Sequence, residues 1–266
     1  MRLGDAFERA RGEGRTALIC YLMAGAPDMR RSMEIAIACL DGGADVLEVG
    51  IPFSDPVADG PVIQEAGAKA LEGGTTPPKV LEMVAELRTR TDRPLVLMGY
   101  YNPIFRRGEE RFVREAVTAG ADGLIVPDLP LHEGAGLRAI CMREGLPLVQ
   151  LCTPLTPLVR QRELMKATSG FLYLVTRTGV TGGGGFAADQ LEGMVRRGRE
   201  IDPSMPLAAG FGISRPDQVR EARALGVDGV IVGSALVALA LSGVGAEAVR
   251  EKVMQLAEAG REGTMQ

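Results

Sequence analysis

The feature that most constrains the fold of this chain is an eightfold alternation between short apolar runs and longer stretches of helical character. Many of the apolar runs are continuous, which is typical of parallel strands that helices cover on the outside. The sequence predicts strands over residues 16–23, 45–51, 95–100, 123–126, 148–151, 171–175, 206–209 and 229–232. Eight such units favour closure into a (β/α)8 TIM barrel, although an open, doubly wound sheet is compatible with the same pattern.

Helices are predicted between these strands and at both ends of the chain. They cover residues 29–41, 63–72, 78–91, 109–119, 132–144, 159–168, 188–200 and 216–225, with an extra N-terminal helix over 3–11 and extra C-terminal helices over 235–241 and 246–259. Glycines at positions 43, 120, 145 and 226 closely follow predicted helices and fit the left-handed conformation that commonly ends a helix. Because no low-complexity linker divides the 266 residues, we expect a single α/β domain over residues 1–266.

Composition and charge exclude several classes of partner. Apolar residues make up 46% of the chain, the net charge is −4, and the absence of a basic stripe argues against nucleic acid as a ligand. The charged N-terminal segment lacks the apolar core of a secretory signal. Residues 229–246 are uncharged and reach the length of a membrane span, but their Gly-Ser breaks favour a buried strand followed by a short helix. We therefore expect a cytoplasmic protein that does not interact with a membrane.

Cysteine and histidine usage points away from metal and triad chemistry. All four cysteines lie in apolar segments and none belongs to a CxxC pair: Cys20, Cys39, Cys141 and Cys152. We therefore expect them to be reduced core residues. Cys152 lies close to a predicted strand end, where a nucleophile is conceivable, but His132 is the one histidine of the chain and is predicted at the exposed start of a helix. A single histidine disfavours both a zinc site and a Ser-His-Asp hydrolase. No metal site is expected.

The segment DVLEVGIPFSDPVADGPVIQ, residues 45–64, carries one carboxylate in a predicted strand and another in the loop that follows. Strand alternation places Glu48 on the face opposite to Leu47 and Val49. A carboxylate within a buried strand is costly unless it has a partner or a function. Glu48 and Asp59, in different surroundings, can have different pKa values and divide acid and base roles between them. The residues alone leave open a structural interpretation, in which Glu48 is paired structurally and Asp55 and Asp59 are turn residues or helix caps.

Glycine-rich segments follow three neighbouring strands at the end of the barrel where active sites lie. They are TRTGVTGGGGF (176–186) after the sixth strand, GFGIS (210–214) after the seventh and GSALV (233–237) after the eighth. Glycine lets backbone N–H groups approach an anion, and a helix N-terminus adds unsatisfied donors. GFGISR lacks the third glycine of the dinucleotide fingerprint, and the chain has no P-loop motif. Together the segments predict a phosphate site.

Four consecutive glycines occupy positions 182–185. Such a run is compatible with a slack surface loop or with a lid that closes over substrate and excludes water. We favour the lid because the run follows the strand that carries Tyr173 and precedes the other two glycine-rich segments.

The segment LEVGIPFSDPVADGP (47–61) resembles the signature of the tryptophan synthase alpha subunit family. FLYLVTRTGVTG (171–182), GFGIS (210–214) and VIVGSALV (230–237) resemble further segments of that family, in collinear order from about residue 21 to residue 237. The resemblance implies a lyase of L-tryptophan biosynthesis. It would cleave indole-3-glycerol phosphate by retro-aldol chemistry to indole and glyceraldehyde 3-phosphate, without a cofactor in this chain. It also implies an alpha2beta2 heterotetramer, with pyridoxal phosphate in the partner beta subunit only.

The resemblance also implies roles for individual residues. Glu48 resembles the general acid/base at indole C3, Asp59 the carboxylate that accepts the indole N–H, and Tyr173 the aromatic hydroxyl near Glu48. The positions that match the family's phosphate site are Gly182, Gly212, Gly233 and Ser234, with Phe211 as an aromatic residue that lines the site. The apolar floor of the site would contain Tyr21, Tyr100, Ile125 and Leu151.

Two alternatives use the same scaffold differently. The first is an enzyme of another class, such as a phosphosugar isomerase or indole-glycerol-phosphate synthase; the synthase needs a catalytic lysine at a strand end, and the predicted strands contain none. The second is a phosphate-binding protein without catalysis that activates a partner, and the presence of both Glu48 and Asp59 disfavours it. The four consecutive glycines, and the small residues of MGYYNP (98–103), depart from some members of the family without removing a catalytic position.

Overall fold

The computed structural model describes residues 3–176, 188–210 and 212–261. Within these ranges, eight parallel strands form a closed barrel in sequence order, with the eighth strand paired to the first. The strands are β1 (Ala17–Met23), β2 (Val46–Gly50), β3 (Leu95–Met98), β4 (Gly123–Ile125), β5 (Leu148–Cys152), β6 (Leu172–Val175), β7 (Leu207–Gly210) and β8 (Gly229–Val232). The predicted (β/α)8 barrel is confirmed, and the open-sheet alternative is wrong.

The helices surround the barrel and close one of its ends. They are α1 (Leu3–Gly12), α2 (Met29–Asp41), α3 (Pro61–Glu72), α4 (Pro77–Arg88), α5 (Tyr101–Arg107), α6 (Glu109–Ala119), α7 (Ala135–Glu144), α8 (Leu158–Ala167), α9 (Ala188–Ile201), α10 (Pro216–Ala224), α11 (Ser234–Leu241) and α12 (Ala246–Ala259). The extra N-terminal helix and the two extra C-terminal helices are confirmed. No helix in the described part of the chain is both long and apolar enough to cross a membrane.

Alternation along each strand separates two cores. Inward side chains such as Val46 and Val96 fill the barrel, whereas outward ones such as Leu47 pack against the helices. Helix α1 covers the N-terminal end of the barrel, where the ring of Phe7 lies 5.3 Å from that of Phe171. Burying a side chain of this size stabilises the fold by about 1.5–3 kcal/mol. With that end filled, the C-terminal ends of the strands form the open mouth.

Most predicted helix bounds lie within two residues of the observed ones; the exceptions are α5, which was missed, the start of α7, and the end of α4, which lies at Arg88 and not at residue 91. Helix α5 was not predicted, because a seven-residue helix with a proline in its first turn carries little periodic signal. Helix α7 begins at Ala135 and not at residue 132, because residues 131–134 form a turn in which the Gly134 N–H bonds to the Pro130 carbonyl at 2.8 Å. His132 is therefore an exposed turn residue whose Nε2 accepts a hydrogen bond from Arg160 at 2.7 Å.

An aspartate fixes the N-terminal end of three strands. Asp45, Asp122 and Asp228 directly precede β2, β4 and β8, and each carboxylate accepts a backbone N–H from the neighbouring strand: Leu18 at 2.9 Å, Leu95 at 2.9 Å and Leu207 at 2.8 Å. Each also pairs with an arginine, which is Arg15, Arg88 or Arg199 respectively. The repeated arrangement ties adjacent strands together at the end opposite the mouth, where barrels keep residues that serve stability.

The four cysteines are buried free thiols, as predicted. Burial raises the pKa of the Cys152 thiol. A buried, protonated thiol is a poor nucleophile, so the structure gives Cys152 no catalytic surroundings.

Candidate active site

Glu48 lies in the middle of β2 and points into the barrel below its mouth. Its side chain is buried, and among the described residues neither carboxylate oxygen has a hydrogen-bond partner. Burial, with a smaller contribution from the charge of Asp59, raises its pKa to about 8. Glu48 is therefore mostly a neutral carboxylic acid at neutral pH and can donate a proton. No described residue supplies the partner that the structural interpretation of Glu48 requires.

Asp59 lies in the loop between β2 and α3 and is only 8% exposed. Burial raises its pKa to about 6, while a hydrogen bond from Tyr100 acts in the opposite direction. The backbone of Asp59 is held on both sides, because its N–H bonds to the Pro56 carbonyl and its carbonyl accepts from Gln64. Residue Gly60, not Asp59, is the N-cap of α3, so the interpretation of Asp59 as a helix cap is wrong.

The two carboxyl groups therefore have different ionisation states in one cavity. Between pH 6 and 8, Asp59 is predominantly charged while Glu48 is predominantly neutral, given pKa values of about 6 and about 8. As predicted, one carboxylate lies in a buried strand and the other in the loop that follows it. The loop carboxylate is buried as well. Sequence alone gave no sign of this, since the loop carries its own polar and turn-forming residues.

Two phenols lie beside the carboxyl groups. Tyr21 on β1 and Tyr173 on β6 are buried, and burial together with the nearby carboxylates raises the pKa of both well above the usual range. Each hydroxyl lies over the glycine that ends the next strand: a Cβ on Gly50 would be 2.3 Å from the Tyr21 oxygen, and one on Gly210 would be 2.4 Å from the Tyr173 oxygen. A side chain at either glycine would therefore collide with the tyrosine, a packing constraint that the sequence does not reveal.

The predicted phosphate residues that the structure describes lie together. Gly212, Gly233 and Ser234 line the same cavity as Glu48 and Asp59. Gly233 is the N-cap of α11, so the free N–H groups of this helix face the cavity, and Gly212 has a φ of 98°, which favours glycine. A helix N-terminus of this kind attracts an anion. Gly182, Phe211 and the predicted lid over residues 177–186 lie outside the described residues.

The four residues predicted as an apolar floor are placed differently from one another. Tyr21 lines the cavity that contains Glu48, Leu151 lines the wider cavity outside it, and Ile125 is fully buried in the barrel core. Tyr100 lies behind the Asp59 loop, where its hydroxyl accepts the N–H of Ala58 at 3.0 Å. The apolar lining that the sequence analysis missed is Ile63, Met98, Ile213 and Ile231.

The cleft continues outward from the carboxyl groups. A wider cavity of about 710 Å³ shares four lining residues with the first: Asp59, Ile63, Gly212 and Ser234. Its remaining walls come mainly from the segments after β2, β4 and β5. A small molecule with an aromatic group and a phosphate can therefore reach from the α11 N-terminus past the two carboxyl groups. Within the described ranges, no cluster of three or more His, Cys, Asp or Glu side chains could hold a metal ion.

Comparisons with known proteins identify the family of this chain. A model of the family described as tryptophan synthase alpha chain matches residues 7–264. The tryptophan synthase alpha chain of Synechococcus sp. (strain CC9902) is 49% identical over 246 residues, which cover 91% of each chain. That of Prochlorococcus marinus (strain MIT 9313) is 48% identical over 235 residues, 88% of this chain and 85% of its own.

Solved structures give the same result. A chain of tryptophan synthase from M. tuberculosis, in space group F222, superposes with a TM-score of 0.91 at 34% identity, and the match covers 98% of this chain and 99% of that one. The tryptophan synthase alpha subunit of Legionella pneumophila str. Paris gives a TM-score of 0.87 at 32% identity, covering 97% and 98%. The chain therefore belongs to the tryptophan synthase alpha chain family.

Proposed function

We propose that this chain is the lyase that cleaves indole-3-glycerol phosphate to indole and glyceraldehyde 3-phosphate, as the alpha subunit of tryptophan synthase in L-tryptophan biosynthesis. Membership of the family supports this reaction. The observation that carries the assignment is the buried Glu48 carboxyl, which has no hydrogen-bond partner among the described residues and faces the same cavity as Asp59 and the α11 N-terminus.

The first step is proton transfer from Glu48 to C3 of the indole ring. The ring becomes a cationic indoleninium, and its electron demand weakens the bond between C3 and the glycerol chain. Asp59, which is ionised at neutral pH, accepts the indole N–H and stabilises the positive charge. A neutral Glu48 is required at this point, and a pKa of about 8 provides it.

The second step breaks the carbon–carbon bond. Once it has lost its proton, Glu48 is a carboxylate in apolar surroundings and a stronger base than an exposed one. It accepts the proton of the glycerol hydroxyl as the carbonyl of glyceraldehyde 3-phosphate forms, and the bonding electrons return to the ring. The enzyme ends the cycle with Glu48 protonated again, so the reaction needs no external proton. The Tyr173 hydroxyl lies in the same cavity as Glu48.

The phosphate of the substrate binds at the α11 N-terminus. The backbone N–H groups at Gly212, Gly233 and Ser234 donate to it, since these residues line the cavity and two of them are glycines. The resemblance adds Gly182 to the phosphate site and Phe211 to the lining. The lid over residues 177–186 is proposed from the sequence, on the four glycines at positions 182–185. Tyr21 and Leu151 contact the indole side of the substrate.

A beta subunit is the proposed partner. Large apolar side chains are exposed on three segments that follow strands at the mouth: Val57 after β2, Phe105 on α5 after β3, and Leu155 and Val159 after β5. Exposed apolar side chains at one end of a barrel are typical of a protein interface. We propose that the beta subunit docks there, that the assembly is alpha2beta2, and that pyridoxal phosphate belongs to the beta subunit alone. Docking would also bias the lid and the Asp59 loop towards closure.

Indole release from indole-3-glycerol phosphate, measured with and without a beta subunit, tests the function. Glu48→Gln should abolish cleavage and keep binding of glycerol phosphate, because the amide fills the same space without an acidic proton. The matched control is Glu65→Gln, an exposed residue of α3 that pairs with Lys69, and it should retain wild-type activity. Near-normal indole release by the Glu48 variant would overturn the mechanism. Phosphate binding without any indole from the wild type would favour the non-catalytic alternative.

The docking surface has its own test. Phe105→Asp should weaken the complex with the beta subunit in light scattering, since it places a charge in the apolar surface. Met142→Asp is the control, because Met142 is also an exposed apolar residue but lies near the C-terminal end of α7, away from the mouth. Equal affinity of both variants for the beta subunit would contradict the proposed surface.

A further inference from the structure

We propose that the outer face of β5 carries a second ligand site, for a small apolar carboxylic acid with a hydrogen-bonding group at its other end. The site is the part of the wider cavity that is lined by Leu131, Gln150, Arg160 and Leu164, here called the outer lobe. None of these four residues lines the cavity that contains Glu48, so the outer lobe is distinct from the substrate site. The inference does not depend on the proposed function.

Strand alternation places the outer lobe between the barrel wall and the surrounding helices. Val149 belongs to the core cluster inside the barrel, whereas Cys152 belongs to the cluster outside it. Gln150 shares the strand face of Cys152 and therefore points towards the helices. The apolar walls of the lobe, Leu131 and Leu164, belong to the same outer cluster. The outer lobe is thus a gap in the outer layer of the fold and not a part of the barrel interior.

The Gln150 side chain is a buried amide without a protein partner. The residue is only 8% exposed, and its backbone N–H bonds to Thr168 Oγ1 at 2.9 Å, but its side-chain amide has no hydrogen-bond partner among the described residues. Gln161, a buried glutamine of α8, shows the usual arrangement, because its amide donates to the Met194 carbonyl at 3.0 Å and accepts from Arg197 at 2.9 Å. A buried amide without a partner is costly. The Gln150 amide is therefore placed to bond to a ligand that enters the lobe.

Arg160 supplies a positive charge at the edge of the outer lobe. It lies four residues before Leu164 on α8, so the two side chains share one face of the helix. Its Nη1 donates to His132 Nε2 at 2.7 Å and to Glu163 at 3.0 Å, whereas its Nε and Nη2 groups have no partner among the described residues. The side chain is 34% exposed. An arginine that is held on one side in this way can offer its remaining N–H groups to a carboxylate.

The charges around the cavity favour a ligand with a single negative charge. The charged side chains that line the wider cavity are Asp59, Asp128 and Arg160, while Glu163 and His132 contact Arg160 from beside it. Because acidic groups outnumber this one arginine, a phosphate dianion is disfavoured here, whereas one carboxylate can pair with the guanidinium. The anion is therefore expected at the Arg160 end of the lobe.

The space between the two polar groups is apolar. Leu131 and Leu164 form its walls, and the Gln150 amide can both donate and accept a hydrogen bond. A ligand that fits has an apolar body, a carboxylate at the Arg160 end and an N–H or oxygen at the Gln150 end. Indole-3-propionate has this chemistry and is a suitable probe, and 3-phenylpropionate is its counterpart without the N–H.

The first test compares two buried glutamines. Calorimetry measures the binding of each probe to the full chain in the presence of glycerol phosphate, which occupies the phosphate site. Gln150→Met should weaken the binding of indole-3-propionate by about fivefold, the effect of one lost hydrogen bond, and leave that of 3-phenylpropionate unchanged. It should also raise the urea midpoint, because it removes an unpaired buried amide. Gln161→Met, the matched control, should lower the urea midpoint and leave the binding of both probes unchanged.

The second test removes the charge. Arg160→Met should weaken the binding of both probes by about tenfold or more, since both lose the pairing of their carboxylate with the guanidinium. Arg162→Met is the control, because Arg162 is an exposed residue of the same helix that does not line the cavity. It should bind both probes as the wild type does.

Three results would overturn the inference. A wild-type chain that binds neither probe up to its solubility limit would mean that the Gln150 amide bonds to water only. Binding that neither Gln150→Met nor Arg160→Met weakens would place the probes in the substrate site. A Gln150→Met chain that is less stable than the wild type would show that the amide has a structural role. Because none of these measurements uses indole release, their outcome is independent of the proposed function.

Discussion

The Tyr21 hydroxyl occupies the space in which a side chain at Gly50 would begin. A Cβ at Gly50 would lie 2.3 Å from the Tyr21 oxygen and 2.8 Å from the ring carbon that bears it, closer than real side chains approach. The Tyr21 ring is also in contact distance of Gly233, since a Cβ there would lie 3.4 Å away. Tyr21 therefore spans the cavity from the strand of Glu48 to the phosphate site, and Gly50 gives it the room to do so.

Gly50→Ala should force Tyr21 out of this position and impair both stability and cleavage. Overpacking of this kind costs about 1–3 kcal/mol. Urea unfolding measures the cost, and adding Tyr21→Leu should restore stability but not activity. Gly136→Ala is the control: a Cβ there meets nothing within 4 Å, so this helical substitution should be neutral or stabilising. A Gly50→Ala chain as stable as the wild type would contradict the described packing.

The aspartate arrangement at the other end of the barrel should matter for stability only. Asp228→Ala removes the acceptor of the Leu207 N–H and leaves Arg199 without its carboxylate. We expect a loss of about 3 kcal/mol in the free energy of unfolding, as for a largely buried ion pair that loses one partner. Asp217→Ala, which breaks an exposed pair with Arg215, should change it by less than about 1 kcal/mol. Similar urea midpoints for the two variants would contradict this distinction.

The phosphate site predicts a selective loss of binding. Gly233→Asp puts a carboxylate and a side chain at the N-terminus of α11, where the anion should lie. Calorimetry should detect no binding of glycerol phosphate, while the circular dichroism spectrum stays that of the wild type. Gly245→Asp, at the N-cap of α12 and outside the cavity, should bind normally. If the Gly233 variant binds glycerol phosphate as tightly as the wild type, the phosphate site lies elsewhere.

The barrel and most of its element boundaries follow from the sequence because parallel strands are continuous apolar runs. Three predicted helices, over 29–41, 109–119 and 246–259, agree in both bounds with α2, α6 and α12. Helix α5 escaped prediction because it is short, and the start of α7 because a turn at residues 131–134 resembles the first turn of a helix. Local sequence patterns do not distinguish a short helix from a loop, or an isolated turn from the first turn of a helix, because tertiary contacts decide between them.

For the site, the sequence located Glu48 and Asp59 but not their surroundings. The loop that carries Asp59 contacts Tyr100, which lies 41 residues beyond Asp59 in the chain and is the N-cap of a helix that was not predicted. The roles of Gly50 and Gly210 depend on the register between adjacent strands, Tyr21 with Glu48 and Tyr173 with Ala208, which sequence spacing does not reveal. These features arise from pairings across the barrel.

Asp59→Asn should reduce cleavage by roughly 10²-fold, the effect typical of losing one electrostatic catalytic group. It should also lower the pKa of Glu48, because the charge of Asp59 contributes to raising it. The residual activity should therefore fall off at a lower alkaline pH than in the wild type. Activity close to that of the wild type would mean that Asp59 is only a loop residue.

The most direct test of the central claim is the pH dependence of kcat/KM for indole-3-glycerol phosphate. Cleavage requires Asp59 ionised and Glu48 protonated in the free enzyme, so the profile should be bell-shaped. Its acidic limb should lie near the Asp59 pKa of about 6 and its alkaline limb near the Glu48 pKa of about 8. An alkaline limb that shifts in Glu48→Asp, which keeps a carboxyl group, and in Asp59→Asn would assign it to this pair. A wild-type profile that stays flat across both pH values would contradict the account.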